Sequence, residues 1–109
     1  MDKEEQQYTD IVEKLSSEDS LVAAGKMMSS PAITYKGKVF AFYNKKEMTF
    51  KLGSGFDLES LELKDYRLLA PFKTKPPMVD WFVIPPTEQR KWEELARYAL
   101  RFLSEKLGR

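Results

Sequence analysis

The chain has 109 residues, 18 Lys and Arg against 17 Asp and Glu, and a formal charge of +1, which fits one domain and leaves no bulk charge to name a partner. It contains no Cys and no His, which excludes disulfides, thiol catalysis, Ser-His-Asp machinery and imidazole or thiolate metal sites. The charge is uneven along the chain: residues 1–30 carry seven acids and three bases, whereas residues 31–55 carry five lysines and one glutamate.

Asp2 is placed to cap a first helix, with Glu5 three residues on as its capping-box partner. Tyr8, Ile11, Val12 and Leu15 follow at i, i+3, i+4 and i+7, one apolar stripe. Ser16 and Ser17 are expected to break it. Ser17 would then cap a second, short helix that buries Leu21 and Val22 and stops at Gly25.

The middle of the chain reads as β-structure. Ala32 to Tyr35 forms a strand, Lys36-Gly37 a two-residue turn, and Lys38 to Tyr43 the returning strand. Asn44-Lys45-Lys46 turns again into a third strand, Glu47 to Leu52, where Met48, Phe50 and Leu52 alternate with Thr49 and Lys51. In the second strand Val39, Ala41 and Tyr43 are expected on one face and Phe40 and Phe42 on the other, so it should be central.

Phe56, Asp57 and Leu61 fit a staple and cap for a short helix over residues 58–63. Residues 64–78 read as irregular, anchored by Tyr66, Leu68, Leu69 and Phe72 and stiffened by Pro71, Pro76 and Pro77. Val79 to Ile84 is the last strand. Thr87 caps a C-terminal helix whose stripe runs through Trp92, Leu95, Ala96, Ala99, Leu100, Leu103 and Leu107. The fold class is therefore α+β: an antiparallel sheet of about four strands, with the terminal helices packed mainly on one face, in a single domain over residues 1–109. The acidic, polar start and the lack of a long apolar run point to a soluble, cytoplasmic chain with no membrane partner.

The run Lys26-Met27-Met28, then Gly37-Lys38-Val39-Phe40-Ala41 and Met48-Thr49-Phe50-Lys51-Leu52, resembles the N-terminal domain of the TfoX/Sxy family. So do Pro77-Met78, Trp81-Phe82-Val83-Ile84-Pro85 and the Ala- and Leu-rich helix after them. The likeness covers roughly residues 15–106. It implies an α+β domain of the TfoX N-terminal and YjbR-like kind, and a role in competence and transcription regulation as a stand-alone single-domain member. Ser29-Ser30-Pro31 departs from the family pattern, which usually has Gly-Gly there.

Acid–base chemistry would have to rest on Glu4/Glu5, Glu18/Asp19, Glu59/Glu62, Glu93/Glu94 or Asp80. The four pairs lie at helix starts or on polar faces, where acids serve caps and solubility. Gly53-Ser54-Gly55 lacks the Lys-Ser/Thr of a phosphate loop, and Lys26 and Lys38 have no neighbours that force an unusual reactivity. No catalytic, metal or cofactor site is expected, and the chain reads as a non-enzymatic binding or regulatory module. Its competitor is a small-ligand site or an enzyme using carboxylate or lysine chemistry.

The candidate interaction surface is Tyr35, Lys36, Lys38, Phe40, Phe42, Tyr43, Lys45, Lys46 and Trp81. Lysines interleaved with sheet aromatics are how several single-strand binders hold phosphates and stack bases. Residues 36–43 resemble the RNP1 octamer at four positions, but Lys38 stands where a stacking ring belongs. The other reading is a small sheet's core with lysines on its turns and edges. Nucleic acid and an unidentified protein are thus both carried as partners.

Self-association follows from the two strands that are apolar on both faces. Phe40, Phe42, Phe82 and Ile84, or the alternate set Val39, Tyr43, Trp81 and Val83, need cover beyond what the helices supply. A homodimer is expected to provide it; the other reading folds residues 56–78 over that face.

Overall fold

A computed structural model of the chain describes residues 2–70 and 76–108. Its elements are α1 (Lys3–Glu18), β1 (Val22–Met27), β2 (Ser30–Tyr35), β3 (Lys38–Asn44), β4 (Glu47–Lys51), β5 (Arg67–Leu69), β6 (Met78–Ile84) and α2 (Trp92–Lys106). The strands form one antiparallel sheet in the order β1-β2-β3-β4-β6-β5, and α1 and α2 pack on one of its faces. The α+β class with terminal helices holds, but the sheet has six strands where about four were expected. No helix among the described residues is long and apolar enough to cross a membrane.

The two additional strands come from segments whose sequence hides them. The Asp2 cap forms as expected, its Oδ1 accepting the Glu5 N–H at 2.8 Å. Ser16 and Ser17 do not stop α1, because their hydroxyls donate back to the Glu13 and Lys14 carbonyls and leave the helix intact to Glu18. Asp19 then turns the chain by accepting the Leu21 N–H at 2.9 Å. Val22, expected in a short helix that stops at Gly25, instead opens a strand that pairs with β2 over six consecutive positions, from Val22 opposite Tyr35 to Met27 opposite Ser30. Ala23, Ala24 and Gly25 offer a helix no apolar stripe, and a regular ladder satisfies their backbone instead.

The expected alternation in β3 is broken by a bulge. The β2–β3 register shifts between Ile33 and Thr34, leaving Phe40 as an extra residue. Phe40, Ala41 and Tyr43 therefore share the helix-covered core, while Val39 and Phe42 belong to the other face. A single inserted residue inverts the faces on its far side, which strict alternation cannot anticipate. The Lys36-Gly37 and Lys45-Lys46 turns put all four central residues at positive φ: 52° and 81°, then 51° and 65°.

After β4 the expected helix over 58–63 shrinks to one 3₁₀ turn, Glu59–Leu61, closed by Glu62 at φ 66°. Asp57 still serves the turn, its Oδ1 accepting the Ser60 N–H at 3.2 Å. The stretch read as irregular contains β5, and Pro71 and Phe72 lie outside the described residues. β6 sits between β4 and β5, which explains its two apolar faces: Phe82 and Ile84 meet the helices, Trp81 and Val83 the opposite side. Thr87 does not cap the last helix. Its hydroxyl donates to Asp65 Oδ2 at 3.0 Å, and a 3₁₀ segment over Pro86–Lys91 delays α2 to Trp92.

The core lies between the helices and the sheet. Trp92, Leu95, Ala96, Ala99 and Leu103 of α2 pack with Tyr8, Ile11 and Leu15 of α1 over Phe40, Met48, Phe50 and Ile84. Full burial of each large side chain contributes roughly 1.5–3 kcal/mol. Trp92 also donates its indole N–H to the Ile84 carbonyl at 3.2 Å, which ties α2 to β6. Leu107 falls beyond the end of α2 and is exposed rather than part of the stripe.

Candidate functional site

The residues marked by sequence as one interaction surface are divided among four places. Lys36 and Lys38 lie at one end of β3 and Lys45 and Lys46 at the other, about 20 Å apart at the usual rise of a strand. Lys36 Nζ stands 5.6 Å from the Tyr35 ring centroid, and Lys46 Nζ lies 3.9 Å from both Asp2 Oδ2 and Glu4 Oε1. Phe40 is in the helix-side core. Phe42 and Trp81 meet on the other face with centroids 5.8 Å apart. Tyr43 stacks on Tyr8 at 5.4 Å and meets Trp92 edge-on at 6.4 Å. A base-stacking platform needs exposed rings beside basic groups, and here the rings are engaged in packing.

The face opposite the helices is closed within one chain. Phe42 is 8% exposed and Trp81 7%; with the buried Ala32 they form one cluster, against which Met27, Val39 and Leu69 pack. Lys51 Nζ lies 5.9 Å from the Trp81 ring centroid. Arg67, directly opposite Val83, makes a bidentate pair with Glu47 at 2.7 and 3.0 Å. Arg67 and Leu69 come from the stretch expected to be irregular, so part of the cover is the segment over 56–78. Phe42, Trp81 and Val83 thus supply no uncovered apolar surface to drive a homodimer through this face.

Tyr43, Lys45 and Lys46 do come together, around a hollow of about 340 Å³ that also takes in Ser29, Ser30 and Pro31. Asp2 and Glu5 line the same hollow, so its lysines face acids from the start of α1. Burial, then the charges of Asp2, Glu5 and Glu4, hold the Tyr43 hydroxyl above its ordinary pKa.

A larger cleft, about 640 Å³, lies elsewhere, between residues 54–59 and the β5–β6 edge. Its floor is Leu68 and Phe82; Tyr66 (38% exposed) and Val79 (53%) form an apolar rim, and Asp57 and Glu59 bring carboxylates to the wall made by residues 54–59. Gly53 makes that wall possible. Its φ is +94°, and a Cβ there would sit 2.8 Å from the Phe102 ring. Phe56 then packs edge-on against Tyr98 at 5.4 Å, and Leu58 and Leu63 are buried beneath.

Glu88 holds the other wall. It is buried, and its Oε2 accepts the Lys64 and Asp65 N–H groups at 2.5 and 2.8 Å. Arg90 donates to Glu88 Oε1 and, at 3.2 Å, to the Glu62 carbonyl. The Asp65 N–H, then the Lys64 N–H and the Arg90 guanidinium, hold the carboxyl down to about 2, against the cost of burial. These bonds fix residues 62–65, which lead directly into Tyr66 and β5. Glu88 directly follows the Thr87 expected to cap the last helix, and no local pattern announces a partner more than 20 residues away.

Glu18 and Glu93, from two of the candidate acid pairs, are spent on structure. Glu18 is bidentate to Arg97 at 2.6 and 3.0 Å, and Glu93 bonds Lys14 at 3.0 Å and Arg97 at 3.3 Å. Glu88 is the one buried carboxylate among the described residues, and it lies outside the cleft. Asp80 is half-buried, and its backbone carbonyl accepts the Leu52 and Gly53 N–H groups. Lys26 and Lys38 are both exposed. Among the described residues no three His, Cys, Asp or Glu side chains gather as a metal site would require. No protein-family model, curated protein or solved structure matches the chain.

Proposed function

We propose that the chain is a non-enzymatic interaction module that binds a protein partner in the cleft between residues 54–59 and β5–β6. The observation that carries this reading is the pairing of an exposed apolar rim, Tyr66 and Val79, with the Asp57 and Glu59 carboxylates across a preformed cleft. Apolar anchors ringed by polar groups are what protein-docking surfaces require. The acidic wall favours a partner segment with an apolar side chain flanked by Lys or Arg. The resemblance to the TfoX N-terminal domain supports a role for that contact in transcription or competence regulation. A hydrolytic or acid–base reading gains no support, because the buried carboxylate lies away from the cleft with its charge fully engaged.

Copurification from the native cell tests the reading. The wild-type chain is expected to retain a protein that a Tyr66→Ala/Val79→Asp double variant loses, with both chains folded by circular dichroism. Equal retention by the two would place the contact elsewhere. Recovery of nuclease-sensitive material that falls steeply with salt would replace the protein partner with a nucleic acid.

A further inference from the structure

The two edges of the sheet differ in kind. The β5 edge is three residues long and its register with β6 shifts between Leu68 and Leu69, features that discourage pairing with another strand. β1 is six residues long, pairs with β2 without a shift, and contains neither Pro nor bulge. Ala23, Ala24 and Gly25 bring no bulk to it, and Lys26 is its one charge. Apolar side chains are exposed at both ends of this edge: Leu21 is 46% exposed and Met28, at the tip of the β1–β2 turn, 81%.

The direction of the free backbone groups follows from the ladder. The Lys36 N–H donates to the Leu21 carbonyl at 3.0 Å, on the same register that sets Val22 opposite Tyr35. Antiparallel pairing alternates, so Leu21, Ala23, Gly25 and Met27 turn their backbone groups toward β2. Val22, Ala24 and Lys26 turn theirs outward, and the Val22 N–H is taken by the Asp19 carbonyl at 3.0 Å.

We infer that β1 is a homotypic docking edge, on which a second copy of this chain adds antiparallel about a two-fold axis between the two Ala24 residues. That register makes Ala24 opposite Ala24 a doubly bonded pair and lets each Lys26 N–H reach the Val22 carbonyl of the other copy. It sets exposed Leu21 opposite Met27. It also carries each Lys26 toward the other copy's α1 C-terminus, where Asp19 lies and the last turn has no basic residue of its own. The strand is thus complementary to itself in backbone, apolar ends and charge. The joined sheet would have twelve strands, within the range of large open sheets. The inference rests on the edge alone and is independent of the cleft reading.

The chain has no native cysteine, so one introduced thiol reports the axis directly. A doubly bonded antiparallel pair brings Cα atoms to about 5.5 Å, within disulfide reach. Ala24→Cys is expected to form a linked dimer under mild oxidation at low micromolar concentration, whereas Ser54→Cys, far from β1, stays at least tenfold less linked. By light scattering at high micromolar concentration, the wild-type mass should approach twice that of one chain. Ala24→Pro removes only an outward N–H and should return the mass to one chain with its thermal melt nearly unchanged. A wild-type chain that stays monomeric, an Ala24→Pro chain that stays dimeric, or equal linking at positions 24 and 54 would each overturn the inference. Should Ala24→Pro fail to fold, the two cysteine variants decide alone.

Discussion

Replacing Glu88 with Gln tests how one buried charge shapes the cleft. The substitution keeps side-chain size but removes the charge that accepts from Lys64, Asp65 and Arg90. The folded-state pKa is about 2, against an ordinary value of 4.5. At about 1.4 kcal/mol per unit, that shift corresponds to a ceiling of about 3.5 kcal/mol of stability. Arg90 is more than half exposed and its share is screened by water, so about 2 kcal/mol is the working figure. The sign follows from the lowered pKa: the contribution is fully present above pH 4.5 and is lost as pH falls toward 2. Urea denaturation of wild type and Glu88→Gln from pH 7 to pH 2.5 reads this directly. The wild type should be more stable by about 2 kcal/mol at pH 7, with a melting point roughly 8 °C higher, and the gap should narrow steadily below pH 4.5. Because residues 62–65 carry the chain into Tyr66, the variant should also weaken partner retention. A gap below about 0.5 kcal/mol at neutral pH, or one that does not change with pH, would refute the assignment of Glu88 as the charged clamp of that wall.

Two further substitutions probe strained backbone. Gly53→Ala should destabilise the chain by more than 1 kcal/mol in urea, since it combines a φ of +94° with a Cβ only 2.8 Å from the Phe102 ring. Lys46→Gly should stabilise by about 0.5 kcal/mol, because relief of φ 65° outweighs two long ion pairs, to Asp2 and Glu4, both at 3.9 Å. Phe40→Ala should cost about 3–5 kcal/mol and Lys38→Ala less than 0.5, a contrast that chemical denaturation at pH 7 resolves and that follows from Phe40 being the inward residue of the bulge.

Where structure is local, the residues declare it. The Asp2 cap, the Tyr8-Ile11-Leu15 stripe and the Lys36-Gly37 turn all rest on neighbours within about four positions. Where a distant partner decides, they are silent. Val22–Met27 lacks β-branched residues beyond Val22 and becomes a strand because β2 is there to pair with it. Arg67–Leu69 is too short to show a period, and its identity comes from β6. The bulge at Phe40 leaves no mark in the pattern, so strict alternation puts Phe40 and Phe42 on one face, whereas they lie on opposite ones. The interaction surface suffered in the same way. Lysines close in sequence are parted by the length of β3, whereas Tyr66, Val79, Asp57 and Glu59, scattered over more than 20 positions, line one cleft. Exposure of a ring is a tertiary property, and composition cannot distinguish a stacking Phe from a core Phe.

The claim on which the account rests is that the cleft, and not the basic turns, is the binding surface. A photo-crosslinking residue placed at Val79 in the native cell tests it most directly, with Glu13 on the exposed side of α1 as the reference position. A discrete protein adduct is expected at position 79, absent at position 13 and lost when Tyr66→Ala is added. A nucleic-acid adduct, or equal labelling at positions 79 and 13, would contradict it.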